Sequence, residues 1–154
     1  MKILQDLGAR NILLYMPFGF ESDSKKLLLQ LRKQKKQIFI PYIMEGIRFK
    51  MLPFRLPLQK NKYGIFETSK SEFILAKIDT AVIPVLGIDK SFKRIGFGKG
   101  MYDRFFSQYP KKTIPLVFVS RLACVSKQVL TQSHDIRGHY FVSAATCCKR
   151  TRYG

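Results

Sequence analysis

Glycines 96, 98 and 100 alternate with other residues in Lys93-Arg94-Ile95-Gly96-Phe97-Gly98-Lys99-Gly100-Met101-Tyr102-Asp103-Arg104, just ahead of a helix-forming run. Residues without a Cβ let a backbone approach a phosphate closely, and a helix start offers unpaired N–H groups to an anion. Arg94 and Lys99 would supply the positive charge. Asp103 is out of place beside phosphates unless a divalent cation lies between them, the usual role of magnesium at nucleotide oxygens. Three better-known patterns fail. The spacing is G-x-G-x-G rather than G-x-G-x-x-G, no G-K-[ST] is present, and the aromatic positions of an RNA-recognition signature are held by Lys99 and Gly100. The residues favour a phosphate or nucleotide site over a structural glycine turn.

Such a loop needs a strand before it and a helix after it. Asp79 to Leu86 is a continuous apolar stretch fit for a strand covered on both faces, and Met101 to Tyr109 reads as the helix. Upstream, Asn11 to Met16 is a short buried strand stopped by Pro17, with Gly8 ending a preceding helical tail. Ser22 or Asp23 caps a helix with Leu27, Leu28 and Leu31 on one face. Lys25, Lys26, Arg32, Lys33, Lys35 and Lys36 occupy the other face, and a solvated surface explains them better than a nucleic-acid contact. Ile38-Phe39-Ile40 starts a second strand, and Glu45-Gly46 predicts a hairpin turn into a half-wet strand over 47–51. Pro53 to Thr68 reads as a long loop of the kind that is often functional. Ile114 to Val119 and His139 to Ser143 complete the strands. The predicted fold is α/β: a three-layer, open twisted sheet, mostly parallel in its centre, with helices on both faces.

Length and composition bound the rest. With 154 residues, 46% hydrophobic, the chain can bury one core and is not a disordered polyelectrolyte. No apolar run approaches the roughly 20 residues of a membrane span, and the first residues turn polar too soon for a secretory signal. Cys124, Cys147 and Cys148 have neither disulfide nor zinc-site spacing, so a reduced, cytoplasmic protein is expected. The net charge of +18 attracts polyanions of any kind without identifying one.

The stretch Asp79 to Asp89, followed by Arg94 to Arg104, resembles the signature of the 5-formyltetrahydrofolate cyclo-ligase (methenyltetrahydrofolate synthetase) family. The likeness extends to Tyr15-Met16-Pro17, Glu21, Tyr63-Gly64-Ile65 and Ser133-His134-Asp135, covering about Asn11 to Ser143. It implies an ATP-dependent carbon–nitrogen ligase that converts 5-formyltetrahydrofolate to 5,10-methenyltetrahydrofolate, releasing ADP and phosphate, with magnesium. It also implies ATP binding by Arg94, Ile95, Gly96, Phe97, Gly98, Lys99, Gly100, Met101 and Tyr102, with Arg94 and Lys99 catalytic. Met16, Glu21, Gly98, Lys99 and Gly100 would meet the folate, and Asp103 and Asp135 would hold the magnesium. Two departures stand out: Met101 replaces the first of a tyrosine pair, and the chain starts near the end of the helical segment with which members usually begin. The expectation is therefore a single, N-terminally short cyclo-ligase-like domain spanning 1–154. Folate and ATP would be its partners, with no membrane or specific nucleic acid, and it would act as a monomer. The alternatives are a basic nucleic-acid-binding domain and a pseudoenzyme that keeps the fold. The tail from Cys147 to Arg152 matches nothing in the family pattern.

Overall fold

Apolar residues on successive strand positions point to opposite sides of a sheet, and here both sides are covered. The computed structural model describes residues 2–45, 48–69, 77–109 and 114–150. Its core is a seven-stranded sheet of β1 (Asn11–Leu14), β2 (Gln37–Ile43), β3 (Phe49–Pro53), β6 (Thr80–Pro84), β9 (Leu116–Val119), β10 (Tyr140–Val142) and β11 (Cys147–Lys149). The order is β11-β10-β9-β6-β1-β2-β3. The strands from β10 to β2 run parallel, and β3 and β11 are antiparallel edges.

Ile12, Leu14, Ile38, Ile40, Val82 and Val117 face one core cluster; Leu13, Phe39, Ala81, Ile83, Leu116 and Phe118 face the other. Helices α1 (Lys2–Asp6) and α2 (Lys25–Lys33) close the first side through Leu4, Leu28 and Leu31. Helix α3 (Met101–Gln108) closes the second through Met101, Phe105 and Phe106. The expected three layers are thus present, because the chain leaves β1 toward β2 in one direction and later builds outward from β6 in the other. Right-handed crossovers then place the helices on opposite faces.

Several local expectations change. Helix α2 begins at Lys25, after Ser24. The Ser24 hydroxyl donates instead to the Tyr15 carbonyl at 2.8 Å, while Asp23 accepts the Lys25 amide at 2.9 Å. The stretch expected as one loop over 53–68 contains a hairpin, β4 (Leu58–Lys60) with β5 (Phe66–Thr68). Buried Glu67 fixes it to the sheet by accepting from the Ile43 amide at 2.6 Å and the Asn61 side chain at 2.8 Å. In the part of the tail that is described, Cys147–Lys149 forms β11 on the edge of β10. The strand expected after Glu45-Gly46 is β3, paired antiparallel with β2 and starting at Phe49 rather than 47, while residues 46 and 47 of the expected turn and strand lie outside those described.

Candidate functional site

In an open α/β sheet, ligands bind beyond the carboxyl ends of the strands where the chain direction of travel reverses. Here that point lies between β1 and β6, and both following segments are shaped by polar anchors. After β6, the short strands β7 (Gly87–Ile88) and β8 (Arg94–Ile95) pair antiparallel. Asp89 sits between them and is 1% exposed. It accepts from the Thr131 hydroxyl and amide, the Ser91 hydroxyl and amide, and the Lys93 and Leu130 amides. Burial pushes its carboxyl up, but these donors outweigh that and hold it below the usual carboxylate range. Asp89 therefore ties the approach to the glycine loop to the distant 130–131 segment. Sequence reasoning gave it no role, although an Asp two residues ahead of a Ser is the pattern of a side-chain-closed turn.

Arg94 departs from the expectation of a free charge facing phosphate. Arg94 and Asp103 are 7% and 5% exposed and form a buried ion pair with Nη2 to Oδ2 at 2.7 Å. Arg94 Nε lies 3.0 Å from each carboxylate oxygen, and the Ile136 amide donates to Asp103 Oδ1 at 3.0 Å. Burial raises the Asp103 pKa, while Arg94 and the Ile136 amide lower it by more, so the group stays ionised. The guanidinium packs under the loop: a Cβ on Gly96 would stand 2.6–2.9 Å from its atoms. Gly96 is thus needed for a close approach.

The loop itself is open to solvent. Phe97, Gly98 and Lys99 are exposed, and Lys99 makes no ion pair among the described residues. Gly98 has φ +81° with open space beside it, and Gly100 precedes α3 at φ +57°. Neither conformation suits a residue with a side chain. Arg104, which sequence reasoning passed over, reaches back to the Lys99 carbonyl at 2.6 Å and adds a second exposed cation. The free amides of the first turn of α3 begin immediately after this left-handed step.

From the β1 side comes the 15–21 segment. Glu21 accepts the Phe18 amide at 3.0 Å, and burial pushes its carboxyl up to about 7. Burial raises the Tyr15 and Tyr102 hydroxyls as well, and the nearby Glu21 charge adds to both shifts. Glu21 thus lies near enough to Tyr15 and to Tyr102, in the first turn of α3, for its charge to act on both. Tyr102 packs edge-on against Phe49 at 5.1 Å and has the Arg94 guanidinium 5.7 Å from its centroid. Met16, expected to meet substrate, belongs mainly to the core at 7% exposure.

The two expected magnesium carboxylates meet only indirectly. Asp103 binds the amide of Ile136, the residue following Asp135, while Asp135 Oδ2 accepts the Gln132 amide at 2.7 Å. No group of three or more potential metal ligands occurs among the described residues. With both oxygens facing Arg94, Asp103 does not fit the role of a magnesium ligand. A cleft of about 390 Å³ opens beyond the carboxyl ends of β9 and β10, lined in part by Ser22, Asp23, Ser120, Arg121 and Ser143. It adjoins the segment after Glu21 rather than the glycine loop. No helix among the described residues is long and apolar enough to cross a membrane.

A mostly parallel sheet with helices on both faces and an exposed glycine loop at its reversal point defines an α/β protein. The model of the 5-formyltetrahydrofolate cyclo-ligase family matches residues 4–139, and the chain belongs to that family. It is 28% identical over 120 residues to the 5-formyltetrahydrofolate cyclo-ligase of Haemophilus influenzae, covering 73% of this chain and 64% of that one. With the enzyme of the same name from Mycoplasma genitalium it shares 27% over 94 residues, 60% of this chain and 57% of the other. The chain thus spans somewhat less than two thirds of these relatives' lengths. Among solved structures, Aquifex aeolicus 5,10-methenyltetrahydrofolate synthetase superposes with a TM-score of 0.71 at 22% identity, covering 94% of this chain and 74% of that one. A Mycoplasma pneumoniae 5,10-methenyltetrahydrofolate synthetase gives 0.62 at 19%, covering 91% and 76%. At such identities the likeness is one of fold.

Proposed function

We propose that this chain carries out the reaction for which its family is named: ATP-dependent closure of 5-formyltetrahydrofolate to 5,10-methenyltetrahydrofolate, with release of ADP and phosphate. The observation that supports the reading is the glycine loop between β6 and α3, open to solvent at Gly98 and Lys99, with Glu21 near enough to the first turn of α3 for its charge to act on Tyr102. One side offers a cationic, side-chain-free loop for phosphates, and the other a carboxyl with a raised pKa for a polar heterocycle.

The steps need no covalent nucleophile. The formyl oxygen attacks the γ-phosphorus and displaces ADP. N10 then adds to the activated carbon and gives up its proton to the departing phosphate or to water, and phosphate leaves with the former formyl oxygen. Lys99, exposed on the loop, stabilises the charge spread over the transferring phosphoryl group, while loop and α3 amides hold the phosphates in line. Glu21 accepts hydrogen bonds from the pterin ring when ionised. Magnesium, implied by the resemblance, is not assigned to Asp103, whose carboxylate faces Arg94. The reading takes the chain to act as a cytoplasmic monomer.

The test is phosphate release from ATP by the purified chain with and without 5-formyltetrahydrofolate. The proposal expects release that depends on the folate and falls at least about tenfold in Lys99→Ala, the size of losing one charge-assisted contact to a transition state. ATP hydrolysis indifferent to the folate, or none at all, contradicts it.

A further inference from the structure

The Arg94–Asp103 pair stands at the junction of the segments that frame the glycine loop. Asp103 lies in the first turn of α3, Arg94 opens the loop from β8, and Ile136 belongs to the segment after Asp135. The Ile136 amide donates to Asp103, and the Arg94 amide donates back to the Ile136 carbonyl at 3.2 Å. Lys93 and Arg137 bridge on the same line. The guanidinium held by Asp103 is the surface on which Gly96 rests.

A magnesium ligand presents a lone pair to an ion near 2.1 Å, and a guanidinium 2.7 Å from the same carboxylate would set a second cation against that ion. Removing one member of a buried ion pair leaves an uncompensated charge, so exchanging Arg94 for a metal would be costly unless the whole junction rearranged. We propose that Asp103 is a positioning residue and not a magnesium ligand: it holds Arg94 beneath Gly96 and thereby sets the loop amides that receive nucleotide phosphate. This inference rests on the proposed function for the identity of the nucleotide.

The two roles differ in where magnesium enters. A ligand matters only when the ion is present; a positioning residue matters equally without it. Calorimetric ATP binding to the full chain, in EDTA and across a magnesium titration, separates them. For Asp103→Asn, ATP affinity is expected to fall about tenfold both in EDTA and at saturating magnesium, as for loss of roughly one well-placed charged hydrogen bond. The magnesium concentration giving half of the metal-dependent gain stays within about twofold of the unmutated value, below the spread expected for loss of a direct ligand. A loss confined to the magnesium-containing samples, or a requirement raised beyond that range, overturns the proposal. So does a lowered melting midpoint with unchanged ATP affinity in EDTA, which would leave Asp103 a purely structural role. Should Asp103→Asn not fold, Arg94→Lys carries the test, because it keeps the charge and dissolves the fork. Positioning predicts weaker ATP binding in EDTA with an unchanged magnesium requirement, and a metal role for the freed carboxylate predicts a lowered requirement. Failure of the unmutated chain to bind ATP would count against the proposed function itself, and is distinct from either variant result.

Discussion

Glu21 is the residue whose chemistry is most easily read from outside the molecule. Burial raises its carboxyl from an ordinary 4.5 to about 7, so the folded protein holds a proton there that the unfolded chain releases. Stability therefore falls as pH rises through that window. Each tenfold change in proton affinity is worth roughly 1.4 kcal/mol, which sets a ceiling of about 3 kcal/mol. Solvent screening of a carboxyl that is only partly buried brings the effect below that ceiling. Glu21→Gln should remove this slope, which denaturant titrations at pH 5 and pH 8 would show as a smaller difference between the two. His139 works with the opposite sign: burial lowers its pKa, and its Nδ1 accepts the Leu116 amide at 3.1 Å. Its contribution is present above the ordinary imidazole range and lost as pH falls, so it remains in both proteins and cancels in the comparison. An unchanged slope in Glu21→Gln would mean that the carboxyl is not buried as described.

The glycine loop and Lys99 were legible from residue type alone, and Glu21 only through the family resemblance. Asp103 was not. A carboxylate beside a phosphate loop looks the same in sequence whether it faces an ion or an arginine, and only burial and the Ile136 amide distinguish them. Asp89 was obscured for a related reason, since its partners at Leu130 and Thr131 lie some forty residues away, at separations of 41 and 42.

Among the elements, the parallel strands were legible because both of their faces are buried and their sequences run continuously apolar. The β4–β5 hairpin was not, since strands as short as Leu58-Gln59-Lys60 carry no usable period and depend on Glu67 for attachment. The glycine loop behaves as an element too. Gly98→Ala places a side chain at φ +81° where nothing stands within 4 Å. Its stability cost should be about 1–2 kcal/mol of backbone strain. Its ATP affinity should drop further than that strain explains, because the methyl group projects into the space phosphate would use. Calorimetry and thermal unfolding on one variant compare the two quantities, and an affinity unchanged from the parent would place the nucleotide elsewhere. Gly138→Ala is the control for a purely structural glycine. Its Cβ would stand 2.6 Å from the Phe118 ring, and overpacking of this kind costs roughly 1–3 kcal/mol. Its melting midpoint should fall while ATP affinity holds.

For the whole molecule, the charge of +18 sets a background attraction for polyanions, nucleotide phosphates included. Many of the cations sit on and just after α2, exposed at Lys25, Lys26, Arg32, Lys33 and Lys35. Nucleic acids should bind weakly, without sequence preference, and should dissociate as salt rises through counterion release. Selective binding that survives physiological salt would favour the nucleic-acid reading. The proposed function is that the fold and its exposed glycine loop serve closure of a formylated folate driven by ATP. Mixing the purified chain with 5-formyltetrahydrofolate and MgATP while recording the absorbance of the methenyl product tests it. Product should form in equal amount to the ADP released, vanish without ATP and fall sharply in Lys99→Ala. No methenyl product from a folded chain that binds ATP would contradict the claim and leave a family member that keeps the site without the reaction.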